Sequence, residues 1–456
     1  MTNQKNKLLD FSLLPVIFTL AWPTMLEQLM QTTVQYIDTA MVGALGTEAT
    51  AAVGSTYTVN WLINSAFFAL GIGFLAYISK AYGAKEYEKA TKASAQAVFI
   101  VLLTSAVLTV VVLSLSKYVP VWMQVDKDLR GVAARYFFIL YIPLIPRACS
   151  MVFGTVLRAA GDTKTPMRVG LIVNAINIVL NFILIYPTRN FHGVTIYGAG
   201  LGTDGAAIGS AISFVVGGAL ITIALWRHPV LSPKGQSLKP DKAVLVPCLK
   251  VSIPNILQRV GTSMGFVVFA SMINSLGQVA TAAHTIANTV ESAFYIPGHG
   301  MQTAAATLSG NTLGERDKEK MVSLSRMLIF SEVCMMIISG ALLFVSAPAM
   351  VGLFSSNKVV IALGSTVLRM VAVSEPFYGV SVAIEGMMQG VGRTIRPFVY
   401  DTACMWLVRI SGTWIMIHLL GGGLISAWAC MITHNMILFI LYTTHYRSGK
   451  WHPLSE

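Results

Sequence analysis

Asp38 sits in the stretch QYIDTAMVG (35–43), inside a run from Leu13 to Leu45 that is almost wholly apolar or small. An ionised carboxylate is expensive in hydrocarbon, so an acid in such a run implies a function or a dedicated partner. A buried carboxyl group that is neutral when dry and ionised when hydrated can carry a proton. Asn174, Asn177 and Asn181 follow one another at three and four residues, which places them on one helical face. Asparagine both donates and accepts, so it can bond an aspartate in either protonation state; its alternative use is as a hydrogen-bonding contact between helices. Glu27 lies eleven residues before Asp38, three turns away on roughly the same face. It reads as a second cavity acid or as the ion partner of Arg147. The later part of the chain adds Arg259, Glu291, Glu332, Arg369, Glu375, Glu385 and Arg409 within apolar surroundings. Glu291 with Arg259 is the pairing expected there, as a possible second ion site.

The elements that must hold these groups are transmembrane helices. The chain has 456 residues, 55% hydrophobic and 11% charged, with a mean hydropathy of +0.67. Soluble domains carry about 25% charged residues, and a spanning helix needs about 20 apolar ones. Twelve such runs recur, near 13–44, 50–80, 90–117, 130–158, 165–187, 203–226, 243–275, 280–310, 320–346, 359–389, 396–419 and 423–446. The polar start MTNQKNKLLD before a long apolar run does not read as a cleavable signal peptide.

The net charge of +12 is topological. With the N-terminus inside, the expected outer loops hold only Lys117, Lys127, Arg130, Arg189 and Lys358, and most other basic residues fall inside. The positive-inside rule then puts both termini in the cytoplasm of a multi-pass protein of the inner or plasma membrane. No nucleic-acid partner is expected.

The sequence matches itself at an offset of 231 residues. LGTEATAA (45–52) meets LGQVATAA (276–283), GAKEYEK (83–89) meets GERDKEK (314–320), and GDTKTP (161–166) meets GRTIRP (392–397). Each copy holds six spans, an even number, so the copies are parallel repeats related by an axis along the membrane normal. The expectation is an all-α membrane protein of two six-helix bundles, residues 1–230 and 243–456, joined by a cytoplasmic linker at 231–242. Pro23, Pro143, Pro254 and Pro376 lie inside spans and bend them, as static curvature or as hinges.

These motifs resemble the multidrug and toxic compound extrusion (MATE) transporters, in their prokaryotic NorM/DinF-like form. YIDTAMVG resembles the family's first-helix signature, VLRAAGDTKTP (156–166) its LRGxGDTxxP loop, VNAINIVLNFILIY (173–186) its fifth helix, and GAAIGSAIS (205–213) its GAAxATxxS, with Gly209 for the usual Ala and Ser210 for the Thr. VESAFYIPGHG (290–300) and GNTLGE (310–315) resemble the eighth helix and its exit. The resemblance implies export of organic, cationic and amphipathic molecules in exchange for protons or sodium, by rocking of one bundle against the other. It implies a cation-coupling cluster of Asp38, Asn177 and Asn181 with Tyr136 and Ser210; Asn174, on the same helical face, is expected with Glu27 to line the cavity. Sodium-coupled relatives carry acids at positions that here hold Thr262 and Val380, so protons are the expected coupling ion. Arg393 stands where the second repeat's loop would carry its acid.

Other classes fit less well. A lipid-linked-precursor flippase would show a strongly cationic cavity and extra spans. An intramembrane enzyme needs a convergent set of catalytic groups, which is not seen, and no phosphate-binding loop with a Walker lysine exists for ATP coupling. An ion channel is a further possibility, marked by currents far above turnover rates. His284, His299, His418 and His434 are scattered without metal-ligand spacing, and the five cysteines show no disulfide or metal-ligand pattern. No cofactor or metal is expected. The 22 methionines and 10% aromatics suit an adaptable apolar pocket for small molecules. The protein is expected to act as a monomer in the lipid bilayer.

Overall fold

The computed structural model describes residues 9–455 except 55, 124, 192 and 193. The chain forms helices α1 (Leu14–Gly43), α2 (Thr47–Gly54), α3 (Tyr57–Gly83), α4 (Tyr87–Leu115), α5 (Val119–Trp122), α6 (Arg130–Tyr141), α7 (Leu144–Ala159) and α8 (Lys164–Ile185). A hairpin of β1 (Pro187–Phe191) and β2 (Val194–Ala199) follows. Then come α9 (Gly202–Arg227), α10 (Lys242–Asn274), α11 (Gln278–Phe294), α12 (Ile296–Glu315), α13 (Lys318–Gly352), α14 (Lys358–Gly390), α15 (Ile395–Ala403), α16 (Ser411–His418) and α17 (Leu424–Arg447).

Among the described residues nine helices are long and apolar enough to cross a membrane. The α6–α7 pair, bent by 53°, makes a tenth, and Pro143 stands at its break. The other two expected spans are helical but interrupted. Residues 280–310 divide into α11 and α12 at Tyr295, where Pro297 opens the second helix without needing an N–H partner. Residues 396–419 run through α15, a π-helical stretch at Cys404–Ile410 and α16, and carry Arg396, Asp401 and Arg409.

The loops bear out the internal repeat. Lys85 and Arg316, the two non-glycine residues with positive φ among those described, lie 231 residues apart and end α3 and α12. The left-handed glycines Gly46 and Gly277, and Gly161 and Gly392, form two more pairs at the same offset.

The chain divides into two compact units that are not the two repeats. One holds residues 26–74 and 87–246. In it the linker lies along α4: Thr91 Oγ1 donates to the Val230 carbonyl at 2.5 Å, Gln96 Nε2 to that of Lys239 at 2.8 Å, and Lys92 pairs with Asp241 at 2.9 Å. α9 packs closely on α8 and α7 because its contact residues are glycines. A Cβ on Gly205 would fall 2.5 Å from the Leu184 carbonyl oxygen, and one on Gly218 2.4 Å from that of Pro146. Gly205 and Gly209 are four residues apart, the small-xxx-small spacing that lets helix backbones meet in membranes.

The other unit holds the described residues up to Met25, residues 75–86 and everything from Pro247 onward. One of its apolar cores joins Ile17, Leu20 and Ala21 of α1 to Met301, Ala304 and Ala305 of α12 and to Ile384, Met387 and Met388 of α14. α3 and α12 meet at repeat-related positions: a Cβ on Gly83 would fall 1.9 Å from the Asn311 carbonyl oxygen, and one on Gly314 2.0 Å from that of Lys80.

Candidate functional site

Asp38 lies on the second half of α1, half-buried. Asn177 and Asn181 are buried on the face of α8 that α9 covers, 6% and 1% exposed. Asn181 Nδ2 donates to Asp38 Oδ1 at 2.8 Å. The Asn177 amide is satisfied at both ends with its nitrogen towards the acid: it donates to both Asp38 oxygens, at 3.0 and 3.1 Å, and accepts from Ser210 Oγ at 3.1 Å. Tyr136, buried on α6, is within electrostatic reach of Asp38.

Gly209 explains how Asn181 reaches the acid. A Cβ on residue 209 would fall 2.2 Å from Asn181 Oδ1, so the amide fills space that the alanine usual at that position would take. Asn174 is not drawn in; its buried Nδ2 has no hydrogen-bond partner among the described residues. Sequence reasoning missed Tyr57, whose hydroxyl lies 3.2 Å from Thr39 Oγ1, and Asn60, whose Oδ1 accepts from Tyr141 Oη at 2.9 Å and Arg147 Nη2 at 2.7 Å.

Glu27 has a different partner from the one expected. Its Oε2 lies 2.6 Å from Arg158 Nη2, with both side chains nearly buried. Arg147 instead stacks on Phe214 at 4.4 Å and binds Asn60. Helix packing brings α1 to the last turn of α7, where Arg158 stands, and not to its first, where Arg147 stands. Glu27 is therefore closed in an ion pair.

The Glu291–Arg259 pairing is also replaced. Glu291 is 3% exposed and accepts from Tyr295 Oη, one turn on, at 2.5 Å. The cation acting on it is Arg409, which lies over Phe266 and Phe269 at 4.8 and 4.2 Å. Arg259 acts on Glu385 and Asp401.

The MatE family model matches the chain twice, over residues 23–183 and 254–415; the two starts differ by the repeat offset. The chain is 24% identical over 435 residues to the probable multidrug resistance protein NorM of Thermotoga maritima, covering 95% of this chain and 92% of that protein. It is 20% identical over 427 residues to the multidrug export protein MepA of Staphylococcus saprophyticus, covering 92% of each. The fold matches a MOP superfamily transporter from Pyrococcus furiosus with a TM-score of 0.88 at 23% identity, over 97% of this chain and 96% of that one. It matches a MATE transporter solved in an outward-facing conformation with a TM-score of 0.89 at 23% identity, over 96% of each chain. With the family model matched in both repeats and the all-helical fold shared end to end, this chain belongs to the MATE family, as a multi-pass membrane transporter and not an enzyme.

Proposed function

We propose that this chain is a secondary antiporter that exports organic, cationic and amphipathic compounds in exchange for protons, with Asp38 as the proton carrier. The observation that carries this reading is that, among the described residues, the hydrogen bonds to Asp38 come from amides: Asn181 at 2.8 Å, and Asn177 at 3.0 and 3.1 Å with its nitrogen towards the acid. An amide can donate to a carboxylate or accept from a carboxylic acid, so the cluster serves both states with little movement. A sodium ion would want several oxygen ligands in fixed positions. At the positions where sodium-coupled relatives carry acids, Thr262 Oγ1 donates to the Gln258 carbonyl of its own helix at 2.9 Å, and Val380 is a buried hydrocarbon.

Pro23 and Pro254 lie within α1 and α10, and Pro376 within α14, as suits bundles that rock and bend. The names of the NorM and MepA relatives support drugs and similar organic molecules as the cargo. The topology that goes with this reading has both termini cytoplasmic, and the transport unit is one chain.

The test is ethidium efflux from proteoliposomes under imposed gradients. A pH gradient should drive efflux by the parent, and Asp38→Asn should abolish it while leaving folding intact. Asn keeps the shape of Asp but exchanges no proton, and one charge per cycle is worth about 2.3 kcal/mol per 100 mV. Efflux driven by a sodium gradient at fixed pH and zero potential, or undiminished transport by Asp38→Asn, would overturn the proposal.

A further inference from the structure

At one place the two repeats have exchanged their chemistry. In the first, Glu27 is closed by Arg158 at 2.6 Å, and two glycines lie against the pair. A Cβ on Gly170 would stand 3.4 Å from Glu27 Cγ, and one on Gly154 3.6 Å from Arg158 Nη1. The residues 231 positions on from Glu27, Arg158, Gly170 and Gly154 are Gln258, Gln389, Asp401 and Glu385. Both members of the ion pair have become glutamines, and both glycines have become acids. The second copy keeps the neighbourhood. Gln258 Nε2 donates to Glu385 Oε1 at 2.9 Å and to Asp401 Oδ2, and Gln389 Nε2 donates to Glu385 Oε1 at 2.8 Å. Tyr442 Oη donates to Asp401 Oδ1 at 3.0 Å.

The charge count decides what this copy can do. The first quartet sums to zero. The second holds two acids, with Arg259, which stands where the first repeat has Gln28, acting on both of them. One negative charge is left over on two half-buried side chains, where solvation is reduced and a bound cation is favoured. The other titratable groups facing the acids are Tyr378, Tyr442 and Cys404, and none of them is cationic. A second observation points to the same ligand. The Gln258 side chain reaches between the two acids and is 5% exposed, yet its Oε1 is buried with no hydrogen-bond partner among the described residues. A proton on either acid would create the donor that this oxygen lacks, and rotation of the amide would bring the two together.

We propose that Glu385 and Asp401 form a second proton-binding site, a carboxyl pair that carries one proton between its members. Glu385 lies in the last two turns of α14 and Asp401 in the second turn of the short α15, and both are half-buried, so the pair exchanges with the solvent at that end of α14. The inference rests on the proton-coupled reading above but concerns different residues in the other packing unit.

The test is infrared difference spectroscopy of the full-length protein in detergent, titrated with acid, following the carbonyl stretch of protonated carboxyl groups. Removing either acid leaves the other balanced by Arg259. Glu385→Gln, Asp401→Asn and the double variant should therefore each lose the same amplitude, that of one carboxyl group. Asp401→Asn gives the same reading should Glu385→Gln fail to fold. No loss in either single variant overturns the proposal, as does a double variant that loses twice the amplitude, which would mark two independent acids. So does a band that sodium chloride suppresses and choline chloride does not, which would mark a sodium site. These outcomes do not depend on Asp38, whose failure as a carrier would show only in the efflux assay.

Discussion

Breaking the Glu27–Arg158 ion pair should destabilise the protein without uncoupling it. The carboxylate and guanidinium make a 2.6 Å contact, and the side chains are only 11% and 10% exposed. With charge centres about 4 Å apart and an effective dielectric near 20, their attraction is about 4 kcal/mol. Removing one partner also strands the other charge, and broken buried pairs cost about 3–5 kcal/mol. Glu27→Gln should therefore cost about 4 kcal/mol, as should Arg158→Met. The double variant, in which no charge is stranded, should recover all but about 1 kcal/mol. Unfolding by sodium dodecyl sulfate in mixed micelles, run as a double-mutant cycle, measures these terms. At a temperature where Glu27→Gln is still folded, ethidium efflux driven by a pH gradient should match the parent. A variant of parental stability that has lost coupled efflux would refute the reasoning and make Glu27 a proton carrier.

Two further outcomes are expected. Gly209→Ala places a methyl group 2.2 Å from Asn181 Oδ1, so the amide must leave Asp38; it should cost about 1–3 kcal/mol by overpacking and move the pH midpoint of efflux in the same direction as Asn181→Ala. An unchanged midpoint would mean that Asn181 does not tune the acid. In the linker, the hydrogen bond from Lys92, helped by the Ala243 N–H, holds the Asp241 carboxyl below its ordinary 3.8. The folded value is depressed, so the stabilisation is fully present above the unfolded value and is lost as pH falls through the folded one. Thermal midpoints of the parent and Asp241→Asn should therefore differ at neutral pH and converge in acid; a constant gap would exclude the linkage.

Asp38 was legible as a candidate because a charge in an apolar run stands out, and its amide neighbours because a helix repeats every 3.6 residues. Both signals are local. The ion partner of Glu27 was not legible, since Arg147 and Arg158 sit on the same helix and only the packing of α1 on α7 chooses between them. The two interrupted spans carried a visible signal: Pro297 in one, and Arg396, Asp401 and Arg409 in the other, more charge than an uninterrupted apolar helix carries. Departures from the family pattern could be seen in the sequence but not understood there. Gly209 makes sense only once Asn181 is found in the vacated space. Arg393 makes sense only once its guanidinium is found donating to the Lys450 carbonyl, where it holds the C-terminal segment, whereas Asp162 in the first repeat accepts from the Thr165 N–H at the start of α8. In each case the side chain answers to a neighbour remote in sequence. A duplicated fold makes such neighbours easier to find, because each position in one copy predicts the surroundings of its mate. Where the surroundings persist and the residue types change, as from Glu27 and Arg158 to Gln258 and Gln389, the change in charge marks where the two halves have taken on different work.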